Sequence, residues 1–201
     1  MGVASLVGSL LLLQGILLTP KDTPPTINAN VYALATKHNH KYNMNILTYA
    51  TPVGIRPHRM WAISLYKKTQ TFTAFTRTKT AILQLLAEEH ASLTFALGGT
   101  SAADVPDNWK RDRCREAGFE WVHAEQLHGD EMVLPGCVAY YRLKQHGPLI
   151  DAGDHQVAIC HVESVWTLSG DVPYALTTQA LRAAGLVSDA GRAIDPQLNI
   201  A

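Results

Sequence analysis

The stretch NMNILTYATPVGIRPHRMWAISLYKKTQTF, Asn43 to Phe72, decides how the rest of the chain is read. MNILTYATPV (Met44–Val53) has the apolar and β-branched content of a strand, ended by Pro52, Gly54 and Pro57. MWAISLY (Met60–Tyr66) is a second run of strand length. Ser64, Lys67, Lys68, Thr69 and Thr71 crowd its end, and TFTAF then opens a short helix that Thr71 can cap. Such a junction suits an anion. First-turn N–H groups and the helix dipole attract negative charge, lysine adds a point charge, and hydroxyls donate hydrogen bonds. The rival reading is a solvated turn with two surface lysines. Neither GxxxxGK[ST] nor a strand followed by GxGxxG is present, which argues against P-loop and Rossmann nucleotide binding.

Composition narrows the class. With 201 residues, 47% of them hydrophobic, the chain can build one sizeable core. Lys plus Arg and Asp plus Glu are 17 each, so the basic excess of a nucleic-acid binder is missing. The three cysteines, Cys114, Cys137 and Cys160, form no CxxC or Cys/His motif and read as free thiols of a reducing, cytoplasmic protein. The closest histidine pairs, His38/His40 and His123/His128, lack the carboxylate or thiolate company of a metal site.

The segment VASLVGSLLLLQGILL (Val3–Leu18) is apolar but falls short of the roughly 17–25 residues that span a bilayer. It also has no Lys or Arg ahead of it, as a secretory signal would. It is expected to pack on the domain or on a partner subunit, with a membrane or targeting role as the alternative reading. Thr19–Asn30, rich in Pro, Asn and Thr, reads as a connector. The chain therefore divides into 1–29, an apolar segment and connector, and 30–201, one domain.

Further strands are expected at VYALAT (Val31–Thr36), AILQLLA (Ala81–Ala87), EWVHAEQL (Glu120–Leu127), CVAYYRLKQH (Cys137–His146) and HQVAICHVESVWTL (His155–Leu168). Helices are expected at EEHASLTFALGG, at NWKRDRCREAG with a solvated basic face, and at VPYALTTQALRAAGL. Many strands with a few interposed helices indicate a mainly β protein, a barrel with added helices, rather than alternating β-α-β units.

Asn43–Phe72 resembles the flavin-binding segment of the flavin reductase-like family, the FMN-binding split β-barrels. GDHQVAICHV (Gly153–Val162) resembles that family's Gly-Asp-His strand opening, and LPGCVAYYRLKQH suits the strand before it. The resemblance spans roughly Asn30 to Leu168. It implies that Asn45, Thr48 and Tyr49 meet the isoalloxazine ring, and that Ser64, Lys67, Lys68, Thr69 and Thr71 meet the ribityl chain and phosphate. It places His155, beside Asp154, where it can orient a nicotinamide. The implied protein is an FMN-binding oxidoreductase that passes hydride from NADH or NADPH to flavin, acts as a homodimer and serves a redox partner protein. An FMN-binding electron carrier without its own nicotinamide site is the second reading, and a split barrel holding haem the third.

Overall fold

The computed structural model describes residues 27–188 and 191–195, and the backbone pairing of β1 (Leu11–Leu13) with β2 (Ile16–Leu18). The expected packing of the apolar N-terminal segment and most of the connector lie outside the described residues. The main sheet contains β3 (Tyr32–His38), β4 (Lys41–Leu47), β5 (Ala50–Gly54), β6 (Met60–Tyr66), β7 (Thr80–Leu85), β10 (Ala139–Gln145), β11 (Ile150–Ala152) and β12 (His155–Thr167). A small second pair joins β8 (Val122–His123) to β9 (Met132–Val133). The helices are α1 (Gln70–Thr78), α2 (Thr94–Gly98), α3 (Trp109–Glu116) and α4 (Thr178–Ala183).

Strand order in the antiparallel main sheet is β4-β3-β7-β10-β12-β6-β5, with β11 added on β12. β3 and β4 form a hairpin through Asn39 and His40, both at positive φ (49° and 62°), as a tight two-residue turn demands. The expected single strand Met44–Val53 is instead two strands at opposite edges, separated only by Thr48 and Tyr49. Three Cα steps reach at most about 11 Å. The sheet must therefore curl until its edges meet at that link. No ladder joins β4 to β5 among the described residues, so the barrel is split rather than closed.

Successive residues of β3 and β7 serve two cores. Leu34, Ala81 and Leu83 pack with Ile63, Leu143 and Phe75 of α1 inside the curl. Ala33, Ala35 and Ile82 pack outside it with Met44, Leu97 and Cys114 beneath α2 and α3. Burial on both faces explains why these strands read as apolar runs instead of alternating.

Three further expectations are corrected. EWVHAEQL yields only β8 and a 3-10 turn at Glu125–Leu127, because Trp121, Ala124 and Leu127 are buried three apart. VPYALTTQALRAAGL is helical only over α4; Ala175 bridges to Ala87, which keeps the preceding residues extended. The α1 cap is Thr69, whose Oγ1 accepts from Phe72 N at 3.1 Å, two residues before Thr71.

Candidate functional site at the split of the barrel

A cavity of ≈ 970 Å³ opens where the curled sheet fails to close. Asn45, Thr48 and Tyr49 line it from the β4–β5 link, and Ser64, Thr69 and Thr71 from the β6–α1 junction. His155 lines it from the first position of β12. These residues come from three separated stretches of sequence. Antiparallel pairing of β6 with β12 sets His155 opposite Tyr66, and Ser64 N donates to Tyr49 O at 2.9 Å, continuing the β5–β6 ladder past Ala50.

The hydroxyl end of the cavity is built for donors. Asn43, 6% exposed, donates from Nδ2 to Thr71 Oγ1 at 2.7 Å. Thr71 accepts in that bond, so its own hydroxyl hydrogen is left to point elsewhere. Asn43 Oδ1 is buried with no hydrogen-bond partner among the described residues. The first-turn N–H groups of α1 face the same junction, where Thr69 caps only that of Phe72.

At the other strand end, His155 Nδ1 lies 2.7 Å from Asp154 Oδ1. The hydrogen bond from His155 holds the Asp154 carboxyl below the ordinary carboxylate range. An ionised carboxylate only accepts, so Nδ1 donates in this bond and Nε2 is left outside it. Tyr49 meets the imidazole edge-on at 5.8 Å between centroids, and Tyr66 lies against it at 5.3 Å.

The two lysines of the junction are not on the cavity wall. Lys67 Nζ donates to the Asp151 carboxylate and the Gly153 carbonyl, and its backbone N–H donates to Asp154 O at 3.1 Å. It ties β6 to the β11–β12 turn that carries Asp154 and His155. Lys68 is exposed.

The basic helix α3 divides as well. Arg111, Arg113 and Arg115 pair with Glu120, Glu116 and Asp112 in solvent, as the solvated-face reading expects. Lys110 points inward at 4% exposure, and Nζ donates to Asn45 Oδ1 (3.0 Å), Leu97 O (2.9 Å) and Met44 O (3.2 Å). Burial without a carboxylate lowers its pKa from 10.5 to about 8. Lys110 fixes the amide of Asn45: Oδ1 is taken, and Nδ2 donates to Ile46 O at 3.0 Å. The four-residue spacing of Lys110 and buried Cys114 was the sequence signal for an inward face.

The cysteines are buried and free. Burial pushes the thiols of Cys137 and Cys160 up to about 12, so neither acts as a nucleophile. No group of three or more metal-ligating side chains occurs among the described residues.

The sequence model of the flavin reductase like domain matches residues 25–185. The chain belongs to that family. Solved structures agree on the fold. A nitrilotriacetate monooxygenase component B homolog from Mycobacterium thermoresistibile is similar at TM-score 0.61 and 16% identity over 75% of each chain. An FMN-binding protein from Thermus thermophilus, with bound 1-cyclohex-2-enone, matches at TM-score 0.60 and 15% identity, covering 88% of this chain and 86% of its own. NADH:FAD oxidoreductase SgcE6 of Streptomyces globisporus C-1027 matches at TM-score 0.59 and 16% identity, over 71% and 77%. No curated protein sequence matches. No helix among the described residues is long and apolar enough to cross a membrane.

The family's chemistry directs attention to residues that the sequence reading passed over. Arg182 of α4 and Arg192 beyond it also line the cavity. Neither lies in a motif, and only the return of the C-terminal segment onto the barrel brings them there.

Proposed function

We propose that the chain is a flavin-dependent oxidoreductase that binds FMN in the cavity at the split, is reduced by NADH or NADPH, and passes electrons to an acceptor or partner protein. One observation carries this reading. Seven of the nine residues that the family resemblance assigns to flavin and nicotinamide line a single cavity, although they come from three separate stretches. Bound flavin supplies the redox chemistry, accepting hydride from a nicotinamide and releasing electrons to the acceptor.

The protein's own residues bind, orient and exclude water. The first turn of α1, with Thr71, offers hydrogen bonds to the phosphate; Thr69, whose hydroxyl donates to Tyr66 O at 2.8 Å, caps that turn. Asn43 aims the Thr71 hydroxyl by donating to its oxygen. Asn45, held by Lys110, and Thr48 present fixed polar groups to the ring edge, and Tyr49 covers a ring face. His155, with Nδ1 engaged by Asp154, offers Nε2 to a nicotinamide carboxamide. Lys67 keeps that histidine in place, and Lys68 adds exposed charge outside the phosphate position.

Homodimerisation and a cytoplasmic setting complete the proposal. Val53 and Ile55 at and beyond edge strand β5 are 53% and 78% exposed, and Tyr49 beside them is 65% exposed. An apolar edge of this kind needs a cover. Light scattering is expected to give about twice the 22.0 kDa chain mass; a monomer that binds FMN removes the dimer.

The deciding experiment is anaerobic stopped-flow reduction of the FMN-loaded protein. Bleaching of the flavin absorbance by NADH or NADPH is the expected result. Bleaching by dithionite alone replaces the oxidoreductase with the electron carrier, and failure to bind flavin overturns both.

A further inference from the structure

Away from the cavity, three imidazoles gather where β10, β12 and the β5–β6 loop meet. His161 of β12 is the central ring. Its Nε2 lies 2.9 Å from Nδ1 of His146, which follows the last residue of β10, and the two rings meet edge-on at 4.5 Å between centroids. His58, in the loop between β5 and β6, meets the His161 ring edge-on at 5.1 Å.

That loop has few other ties. Residues 55–59 are exposed, and β5 pairs only with β6 among the described residues, with a register shift between Pro52 and Gly54. Besides the His58 ring, the bond from Val162 N to Arg59 O, at 2.9 Å, joins the loop to β12. Cations surround the cluster. Lys144 sits opposite His161 on the β10–β12 ladder, and Arg56 and Arg59 accompany His58 in the loop. The carboxylate that acts on His161, Glu163, is already shared between Arg142 Nε at 3.4 Å and Lys144 Nζ at 3.7 Å.

A hydrogen bond between two imidazoles needs one nitrogen that donates and one that accepts. The neutral pair meets this condition, and so does the pair with one added proton. A second proton leaves two donors and two positive charges facing each other, and the bond is lost. Partial burial, then repulsion from His146 and His58, lowers the pKa of His161, with Glu163 opposing and Lys144 adding to the effect. An opened His161 therefore binds its proton more readily than a latched one, and acid favours opening.

We propose that His58, His146 and His161 form an acid-released latch on the β5–β6 loop. While the His146–His161 bond stands, His58 packs on it and the loop stays against β12; the second proton opens the pair and frees the loop. The inference is independent of the flavin reading. β5 runs from this loop back to Ala50, next to Tyr49 of the cavity wall, so the latch sits at the far end of a strand that bounds the site.

Hydrogen exchange of the full chain, read by mass spectrometry at about pH 7.5 and about pH 5 and corrected for intrinsic rates, tests the latch. Peptides covering residues 53–61 are expected to lose ~tenfold in protection at the lower pH, with β3 and β7 unchanged. His161→Gln, which takes up no proton, should make the protection of 53–61 independent of pH. His58→Gln leaves the His146–His161 pair in place and should loosen the loop at both pH values. Proton NMR of the imidazoles reads the coupling directly: His161 should titrate below the ordinary histidine range and move up toward it in His146→Gln. Equal protection of 53–61 at the two pH values overturns the latch. So does a loss that spreads to β3 and β7 or persists in His161→Gln, and so does a His161 titration that His146→Gln leaves unmoved.

Discussion

Two stretches bring cations to the neighbourhood of the cavity, and they place them differently. Between Ser64 and Thr71 the lysines are adjacent in sequence and follow a strand, yet Lys67 is captured by Asp151 and Gly153 and Lys68 stays in solvent. Between Thr178 and Ala193 the arginines are ten positions apart in no motif, yet both reach the wall. The difference teaches that charge density along the chain does not say where charge points. A lysine beside a hairpin carboxylate is spent on holding that hairpin. The arginines of the returning segment make no ion pair among the described residues.

The sharpest way to break this comparison is to reverse the charge at the hydroxyl end. Thr69→Asp keeps a good N-cap, so α1 should persist. It also sets a carboxylate against the proposed phosphate position. FMN affinity is expected to fall at least about 100-fold, roughly 3 kcal/mol, while riboflavin changes little. Fluorescence titration of both ligands decides the matter; parallel losses would move the phosphate away from α1.

A smaller effect sharpens the role given to Lys67. If it holds the turn that carries His155, Lys67→Met should leave FMN affinity near wild type and slow flavin reduction by about tenfold, or roughly 1.4 kcal/mol of barrier. His155→Ala should do the same, and the double variant should be no slower than His155→Ala alone, since coupled residues are not additive. Additive rates, or loss of FMN with riboflavin retained, would return Lys67 to the phosphate.

A further effect, on stability rather than on binding or rate, concerns Lys110. Its folded pKa of about 8 lies below the ordinary 10.5, so between these values the unfolded chain binds a proton that the folded chain does not. Stability from this group therefore rises with pH across that window, by roughly 1 kcal/mol per unit, or about 2–4 °C in Tm. Melting curves of wild type relative to Lys110→Met should climb from pH 8 to 10. A flat difference would mean that the ammonium is solvated.

Much of this was legible from residues 43–72 and 153–162. Strands β3, β6, β7, β10 and β12 fall where apolar runs and turn residues predict them. The hydroxyl-rich junction and the Gly-Asp-His opening, taken in order, point to the flavin reductase-like family before any fold is known. The rest was not legible because it depends on partners distant in sequence. Met44–Val53 reads as one strand because its apolar and β-branched content runs on through Thr48 and Tyr49. Only the pairing of its first half with β3 and its second with β6 sends the halves to opposite edges and opens the cavity between them.

Sequence alone thus determined the mainly β composition of this chain, the hydroxyl cluster at the start of α1 and the histidine at the head of β12, since local periodicity and turn chemistry act over a few residues. Tertiary structure decided which polar groups face the cavity. Lys67 was taken by a hairpin 84 residues away, Lys110 was drawn inward onto Asn45, and Arg182 was delivered by the closing segment. An ion pair or a buried hydrogen bond forms with whatever acceptor the fold brings within about 3 Å, and that is fixed by the curl of the sheet rather than by neighbours in the chain.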